Sequence, residues 1–147
     1  MSNKKIEAWK IQVAKGKSIF VATNVKSIHP VVDSIVKNLC EIDLIQYVRI
    51  SQEDIQASNE IKIKGRIKIP ISTTGYPAAV GVHLILNFAP NMIQFFKITS
   101  AVKGYGGKMV QAVMTALPDE WEACVVMDYS EEFWDKMAGK YDRIVIL

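Results

Sequence analysis

Three glycines and two lysines lie within six consecutive residues of this 147-residue chain, Lys103-Gly104-Tyr105-Gly106-Gly107-Lys108. The segment follows a stretch typical of a β-strand and precedes one typical of an amphipathic helix. Glycines at such a junction let backbone N–H groups come close to a ligand, and the start of a helix carries a partial positive charge. The residue types therefore predict a binding site for a phosphate group.

The spacing of these glycines excludes two common nucleotide motifs. A P-loop needs a glycine five positions before its Gly-Lys and a Ser or Thr after it, and Val102 and Met109 occupy those positions. The dinucleotide fingerprint Gly-x-Gly-x-x-Gly fails as well, because Met109 stands where the third glycine is required. The turn must serve the phosphate of another kind of ligand.

The remaining chemistry-bearing residues form no cluster that the sequence reveals. His83 could act as a general base by residue type, since histidine exchanges protons near neutral pH. Its place in an apolar run is more typical of a core histidine, whereas His29, beside Pro30, suits a surface or helix-capping position. Cys40 and Cys124 form no Cys-x-x-Cys motif and are expected to be buried thiols in a reducing compartment. No spacing of His, Cys or Asp predicts a metal site.

Composition favours one folded domain, residues 1–147, since 50% of the residues are hydrophobic. The net charge of +3 is too small to indicate nucleic acid by itself. The first residues are basic but lack the apolar stretch of a secretion signal. The longest apolar run, residues 78–86, is far shorter than the roughly 20 residues of a membrane helix. We expect a cytoplasmic protein that does not contact a membrane.

Hydrophobic periodicity predicts an α+β fold with a mixed sheet. Strand patterns occur at residues 18–23, 61–69, 79–88, 92–99, 123–127 and 143–147. Helical patterns occur at residues 27–40, 109–117 and 133–141, and residues 51–58 begin with a helix start signal. Residues 6–13 and 42–50 fit either type. Strands 61–69, 79–88 and 92–99 should form an antiparallel meander, and strands 92–99 and 123–127, which a helix joins, should be parallel neighbours.

Strand 61–69 carries four cations on one face, Lys62, Lys64, Arg66 and Lys68. Such a row could bind an acidic substrate, the phosphates of a cofactor or a nucleic-acid backbone. It is also an ordinary solvated face that discourages pairing at a sheet edge, which is the interpretation we favour. Because no aromatic residues are interleaved with the cations, a nucleic-acid partner is not expected.

The order of meander, glycine turn, helix, parallel strand and aromatic-rich helix resembles the GNAT superfamily of N-acetyltransferases over about residues 60–147. In that family the turn reads Arg or Gln, two residues, Gly, any residue, and Gly or Ala. Here Gly104 and Gly106 occupy the two glycine places and Ala101 the first place. The family's later Phe-Tyr-Glu-Lys-Leu-Gly-Phe segment is similar to Phe133-Trp134-Asp135-Lys136-Met137, followed by Gly139 and Tyr141.

The resemblance implies acetyl-CoA as the acyl donor and direct attack by an amine of unknown type on its thioester. It implies that the pyrophosphate lies on the turn and the pantetheine arm in a gap between strands 92–99 and 123–127. The implied cofactor-binding residues are Phe96, Ile98, Lys103, Gly104, Tyr105, Gly106, Gly107 and Lys108. Trp134 stands where members often have the tyrosine that protonates the leaving thiolate, so Tyr129 is the nearest hydroxyl for that catalytic role.

Three interpretations stay open. One is an N-acetyltransferase, and the second is a GNAT-fold binding or interaction module that has lost transfer. In the third, which three glycines in four positions disfavour, the segment is a strand-to-helix turn that binds no ligand. Ala101 and Trp134 are the residues that keep the second interpretation open. Many members have two strands beyond the last helix where one is predicted here. The substrate side could therefore be incomplete, or a second subunit could complete it as a homodimer.

Overall fold

A seven-stranded sheet runs through the computed structural model, which describes residues 2–59, 78–125 and 131–147. Its strands are β1 (Ser18–Val21), β2 (Tyr47–Ile50), β3 (Asp54–Ser58), β4 (Val80–Asn87), β5 (Met92–Ser100), β6 (Glu122–Val125) and β7 (Ile144–Ile146). The described helices are α1 (Ser2–Ala14), α2 (Pro30–Cys40), α3 (Tyr105–Ala116) and α4 (Glu131–Lys140). The prediction of an α+β fold with a mixed sheet is confirmed.

The strands lie in the sheet in the order of the chain, from β1 to β7. Strands β2 to β5 form an antiparallel meander, whereas β1 is parallel to β2, and β5, β6 and β7 are parallel to one another. The predicted parallel pairing of β5 with β6 is confirmed. Of the predicted meander, strands 79–88 and 92–99 correspond to β4 and β5, and the predicted strand 61–69 lies outside the described residues. The described neighbour of β4 on its other edge is β3.

The core lies between one face of the sheet and the helices. Ile19, Val48, Ala57 and Val82 stand opposite one another on four successive strands, and all are buried. Helices α2 and α3 pack side by side. The Asn38 side chain joins them by donating from Nδ2 to the Ala112 carbonyl oxygen at 2.9 Å.

The other face of the sheet, which we call the polar face, carries the side chains of Asp54, Gln56, His83 and Phe96.

Residues 51–58, predicted to be helical, form a tight turn and strand β3, so that prediction is wrong. The Ser51 N–H donates to the Asp54 carbonyl oxygen at 2.9 Å, which reverses the chain after β2. Ile55 and Ala57 then alternate into the core, paired with β2 on one side and β4 on the other. Pairing on both edges outweighs a local helix start signal, since helix propensity is a weak preference. The two segments that the sequence left open form different structures. Residues 6–13 lie in α1, and β2 occupies the end of residues 42–50.

Both histidines have hydrogen-bond partners. His29 is the N-cap of α2, where its Nδ1 accepts from the Val31 N–H at 3.1 Å, and Pro30 is the first helical residue. The capping interpretation of His29 is confirmed, although the helix begins three residues later than predicted. His83 lies on β4 and contacts Asp54 and Gln56 on β3.

Arg143 fixes the C-terminal end of α3. Its guanidinium Nη1 donates to the carbonyl oxygens of Pro118 at 2.5 Å and Trp121 at 3.0 Å, and Nη2 donates to those of Met114 and Leu117 at 3.3 Å. A cation at this position also suits the negative end of the helix. The helix that follows the glycine turn is therefore anchored at its far end.

Cys40 and Cys124 are buried, which confirms the expectation for both thiols. Burial raises the pKa of Cys40 to about 11, a change that the charges of Lys17 and Lys15 reduce only in part. Burial also raises the pKa of Cys124. Among the described residues, no helix combines the length and the apolar character that crossing a bilayer requires.

Candidate functional site

Helix α3 begins at the glycine turn directly after β5. Gly104, its N-cap, has a φ of 90°, in the left-handed region that favours glycine. The Lys108 N–H donates to the Gly104 carbonyl oxygen at 3.2 Å and the Tyr105 N–H to that of Val102 at 3.3 Å. Within the part of the chain that the structure describes, the N–H groups of Gly106 and Gly107 have no acceptor. The first turn of α3 thus offers two unsatisfied donors.

The three glycines are needed for different reasons. Gly104 is required by its positive φ. Gly106 is required by packing, because a Cβ there would lie 3.1 Å from Cε1 and 3.3 Å from Cζ of Phe133. At Gly107 no atom lies within 4 Å of the position that a Cβ would occupy. Gly107 is therefore the glycine that the described fold does not itself explain, and there is open space on the side where a Cβ would lie.

Strand β5 continues beyond its described pairs with β6 toward the start of α3. These pairs run from Met92 and Glu122 to Gln94 and Cys124, and β5 extends to Ser100. Phe96 and Ile98, predicted to contact the cofactor, lie on the section of β5 that follows these pairs. The rest of the predicted gap, beside residues 126–130, lies outside the described residues. Phe96 is exposed and Ile98 is half-buried.

A β-bulge marks the same section of β5. His83 and Leu84 on β4 stand opposite Lys97 and Phe95, so Phe96 between them is the extra residue. A bulge bends its strand and increases the local twist, and bulges are frequent next to binding and active sites. The bend lies in the section of β5 that leads to α3.

The two lysines of the glycine turn, Lys103 and Lys108, lie on different sides of it. Lys103 is exposed, whereas Lys108 holds its Nζ 4.3 Å from the centre of the Tyr105 ring. The Tyr105 hydroxyl donates to Asp43 Oδ1 at 2.7 Å. This hydrogen bond lowers the pKa of Asp43, which the Lys108 charge also lowers, and it raises the pKa of Tyr105. Tyr105 and Lys108 are thus directed toward the loop that follows α2.

A cleft of about 430 Å³ lies between α2 and α3 on that side. Lys108 lines it together with two acidic residues, Glu41 and Asp43, and the amides of Asn38 and Gln111. Glu41 also pairs with Lys15, and the Lys17 ammonium donates to the Asp43 carbonyl oxygen at 3.0 Å, so cations offset both carboxylates of this cleft. The glycine side of the turn differs in offering backbone N–H groups that have no described acceptor.

Tyr129, the predicted proton donor, lies outside the described residues. Trp134 is 3% exposed, and its ring centre lies 5.1 Å from that of Phe95 and 5.0 Å from that of Phe133. Because Phe133 also contacts Gly106, this aromatic group connects α4 to β5 and to the start of α3. The indole is a core side chain that offers no hydroxyl to a bound thioester.

The polar face holds a histidine–aspartate pair. His83 Nε2 lies 2.8 Å from Asp54 Oδ2, and Gln56 Nε2 lies 3.3 Å from His83 Nδ1. The Phe96 ring centre lies 5.1 Å from that of His83 at 74° between planes. Sequence reasoning missed Asp54 because it placed residues 51–58 in a helix, although the alternation of Ile55 and Ala57 signalled a strand.

Comparisons of the chain with protein-family models, curated proteins and solved structures found no match. Within the described ranges, no group of three or more His, Cys, Asp or Glu side chains is placed to hold a metal ion. The arrangement that remains is a two-sided site at the C-terminal end of β5. One side is the glycine turn, with its free N–H groups, and the other is the bulged section of the strand.

Proposed function

We propose that the protein binds acetyl-CoA or a related acyl-CoA, with the diphosphate at the start of α3 and the acyl-pantetheine arm along β5. One observation carries the proposal: β5 has a bulge at Phe96 and leads directly into a glycine-started helix whose Gly106 and Gly107 N–H groups have no described acceptor. A helix start alone would be weak support. Its combination with a bulged strand section fits a ligand that has both an anionic and an extended amide-bearing part.

The glycine turn supplies the chemistry that a diphosphate requires. The N–H groups of Gly106 and Gly107 and the helix dipole favour an anion at the start of α3. Lys103 is exposed next to the turn and adds a point charge. Since Ala101 cannot supply a guanidinium, binding in this protein depends on backbone groups more than on side chains.

The section of β5 from Phe96 to Ile98 suits the pantetheine arm. Pantetheine has two amide groups, and an extended chain of this kind forms hydrogen bonds with the backbone of a strand as an added strand does. The bulge at Phe96 turns this backbone away from regular pairing. An arm in that place would bring the thioester next to β5 and β6.

Transfer of the acetyl group to an amine is the reaction that such a complex supports. The amine nitrogen attacks the thioester carbonyl, and the protein must align the reactants, accept an ammonium proton and stabilise the oxyanion. Tyr129 remains the predicted donor of a proton to the thiolate. A binding module without transfer is the second candidate. It is favoured by Trp134, a buried tryptophan that supplies no hydroxyl from α4.

Thermal unfolding with added ligand tests the proposal. A ligand at about one hundred times its dissociation constant stabilises the native state by about 2.7 kcal/mol, which is a measurable rise in melting temperature. We expect a rise with acetyl-CoA and with CoA but none with pantetheine, which lacks the phosphates, at the same concentration. No rise at millimolar acetyl-CoA would contradict the proposal. Release of CoA thiol with added amines then separates the transferase from the binding module.

A further inference from the structure

The His83–Asp54 pair is built like a proton acceptor held in position by a carboxylate. The Asp54 side chain is 30% exposed and that of His83 is 17% exposed, so the pair is half-buried and reachable. The 2.8 Å contact between Nε2 and Oδ2 fixes the plane of the imidazole. Many surface histidines have no such partner, and a carboxylate in this position also stabilises the imidazolium that proton uptake creates.

The neighbours of the ring decide which nitrogen is free to accept a proton. A carboxylate accepts only, so Nε2 carries the hydrogen that is donated to Asp54. Nδ1 is then the lone-pair nitrogen. The Gln56 amide nitrogen lies 3.3 Å from Nδ1 and 3.4 Å from Nε2, both long for a hydrogen bond, so it is not aligned with the Nδ1 lone pair. An amine could approach Nδ1 without disturbing Asp54.

His83 lies one strand away from the section of β5 assigned to the acyl arm. It stands opposite Lys97, and its ring contacts Phe96, the bulged residue, on the polar face. Neighbouring strands are about 4.8 Å apart, so a group lying over Phe96 would reach both the imidazole and the β5 backbone. Phe96 is 47% exposed and leaves room for such a group.

We infer that the polar face over Phe96 is the entry side of the acceptor amine, that His83 is the catalytic base that deprotonates it, and that Asp54 is its positioning residue. This inference rests on the proposed function. The acceptor is an ammonium-bearing compound that presents its amine from this side of the sheet, opposite to the helices.

The proton and electron changes balance without a further reactant. His83 Nδ1 takes one proton from the ammonium, which leaves a neutral amine and an imidazolium paired with Asp54. The amine lone pair forms the C–N bond, the C–S bond breaks, and the second amine proton goes to the departing CoA thiolate. The imidazolium returns its proton to water, so one amide, one CoA thiol and one proton are formed per turnover.

Three charged groups on neighbouring strands set the field around His83. Asp54 on β3 makes the direct contact. Lys97 is the cross-strand partner of His83 and holds its Nζ 5.6 Å from the centre of the Phe96 ring. Arg49 on β2 stands opposite Gln56 and is exposed. The Asp54 carboxylate is the nearest of the three, so proton uptake by the ring is compensated locally.

The test compares His83→Gln with His29→Asn, a matched control in which the other histidine is replaced by another good N-cap residue. The rate of CoA release from acetyl-CoA is measured with propylamine, tyramine and spermidine from about pH 5.5 to 8.5. We expect His83→Gln to lower kcat/KM by about 100-fold and to change the pH dependence of the rate, because the base that removes the amine proton is lost. His29→Asn should keep both, and the acetyl-CoA dissociation constant should be unchanged in both variants.

A measurement on the unsubstituted protein tests the inference even if a variant does not fold. Nitrogen-15 NMR of the neutral imidazole should show hydrogen on Nε2 of His83 and a lone pair on Nδ1, and Asp54→Asn should lower kcat/KM while changing this tautomer ratio. The opposite tautomer, or a His83→Gln rate within threefold of the original at all pH values, would overturn the inference. Binding of acetyl-CoA without transfer to any of the three amines would also overturn it and leave the binding proposal intact. Absence of acetyl-CoA binding would overturn both.

Discussion

Gly106 on α3 lies against the ring of Phe133 on α4, and a Cβ at that position would be only 3.1 Å from Phe133 Cε1. The glycine that best matches a phosphate-binding turn in the sequence is therefore also a packing residue. Loss of ligand binding after substitution of Gly106 would not distinguish a blocked phosphate from a displaced α4. Gly107, where a Cβ would meet no atom within 4 Å, separates the two effects.

Gly106→Val should destabilise the protein even without ligand. Overpacking of a close contact costs about 1–3 kcal/mol, and here the obstacle is an aromatic ring held against Trp134. Urea unfolding measures the loss. If the contact is the cause, Gly106→Val costs less in a Phe133→Leu background than alone, whereas strictly additive free energies would show that the ring is not responsible.

The substitutions Gly104→Ala and Gly107→Ala should have different effects on the free energy of unfolding. At Gly104 the φ of 90° makes any Cβ unfavourable, at a cost of about 1–2 kcal/mol. Gly107 lies inside α3 with open space around it, so alanine there should be neutral or stabilise by up to about 1 kcal/mol. Equal urea midpoints for the two variants would show that the turn does not have the backbone conformation described.

The Tyr105–Asp43 hydrogen bond should make stability depend on pH. Because the bond lowers the pKa of Asp43 in the folded state, its contribution is complete above the unfolded-state value of about 3.9 and is lost as pH falls through the folded-state value. Tyr105→Phe should therefore lower stability more at pH 6 than at pH 2. A carbon-13 titration of the Asp43 carboxyl should show its pKa rising in that variant, and an unchanged pKa would contradict the assignment.

Cys40 should react slowly with iodoacetamide at pH 8. The thiolate is the reactive form, and a pKa of about 11 leaves little of it at that pH, in a side chain that is only 2% exposed. Labelling followed by mass spectrometry should show modification within minutes in 8 M urea but much slower modification in the native protein. Equal rates would mean that α2 does not cover this residue as described.

The sequence predicts the elements that have strong local patterns and fails where pairing decides. Helix α3 and strands β4 and β5 follow from periodicity and from the turns that bound them. Strand β3 could not be identified in this way. The Ser-Gln-Glu-Asp segment where it begins resembles a helix N-terminus, and its strand conformation depends on pairing with β2 and β4 at its two edges. That single error concealed the contact between Asp54 and His83.

The candidate site was predicted in its local part only. The glycine turn and its position at a strand–helix junction are properties of consecutive residues, and the structure contains both. The bond between Tyr105 and Asp43 joins residues 62 positions apart, and the contact of Phe133 with Gly106 depends on how α4 packs. Such contacts depend on the packing of whole elements, which periodicity within one element does not specify.

The central claim is that the backbone at the start of α3 holds the diphosphate of an acyl-CoA. Calorimetric titration of acetyl-CoA into the unsubstituted protein, Gly107→Val and Gly139→Val tests it most directly, because a Cβ meets no atom within 4 Å at either glycine and Gly139 lies on α4. We predict binding to the unsubstituted protein, at least about tenfold weaker binding to Gly107→Val, which is about 1.4 kcal/mol, and unchanged binding to Gly139→Val. No binding to the unsubstituted protein, or equal affinity of all three, would contradict the claim.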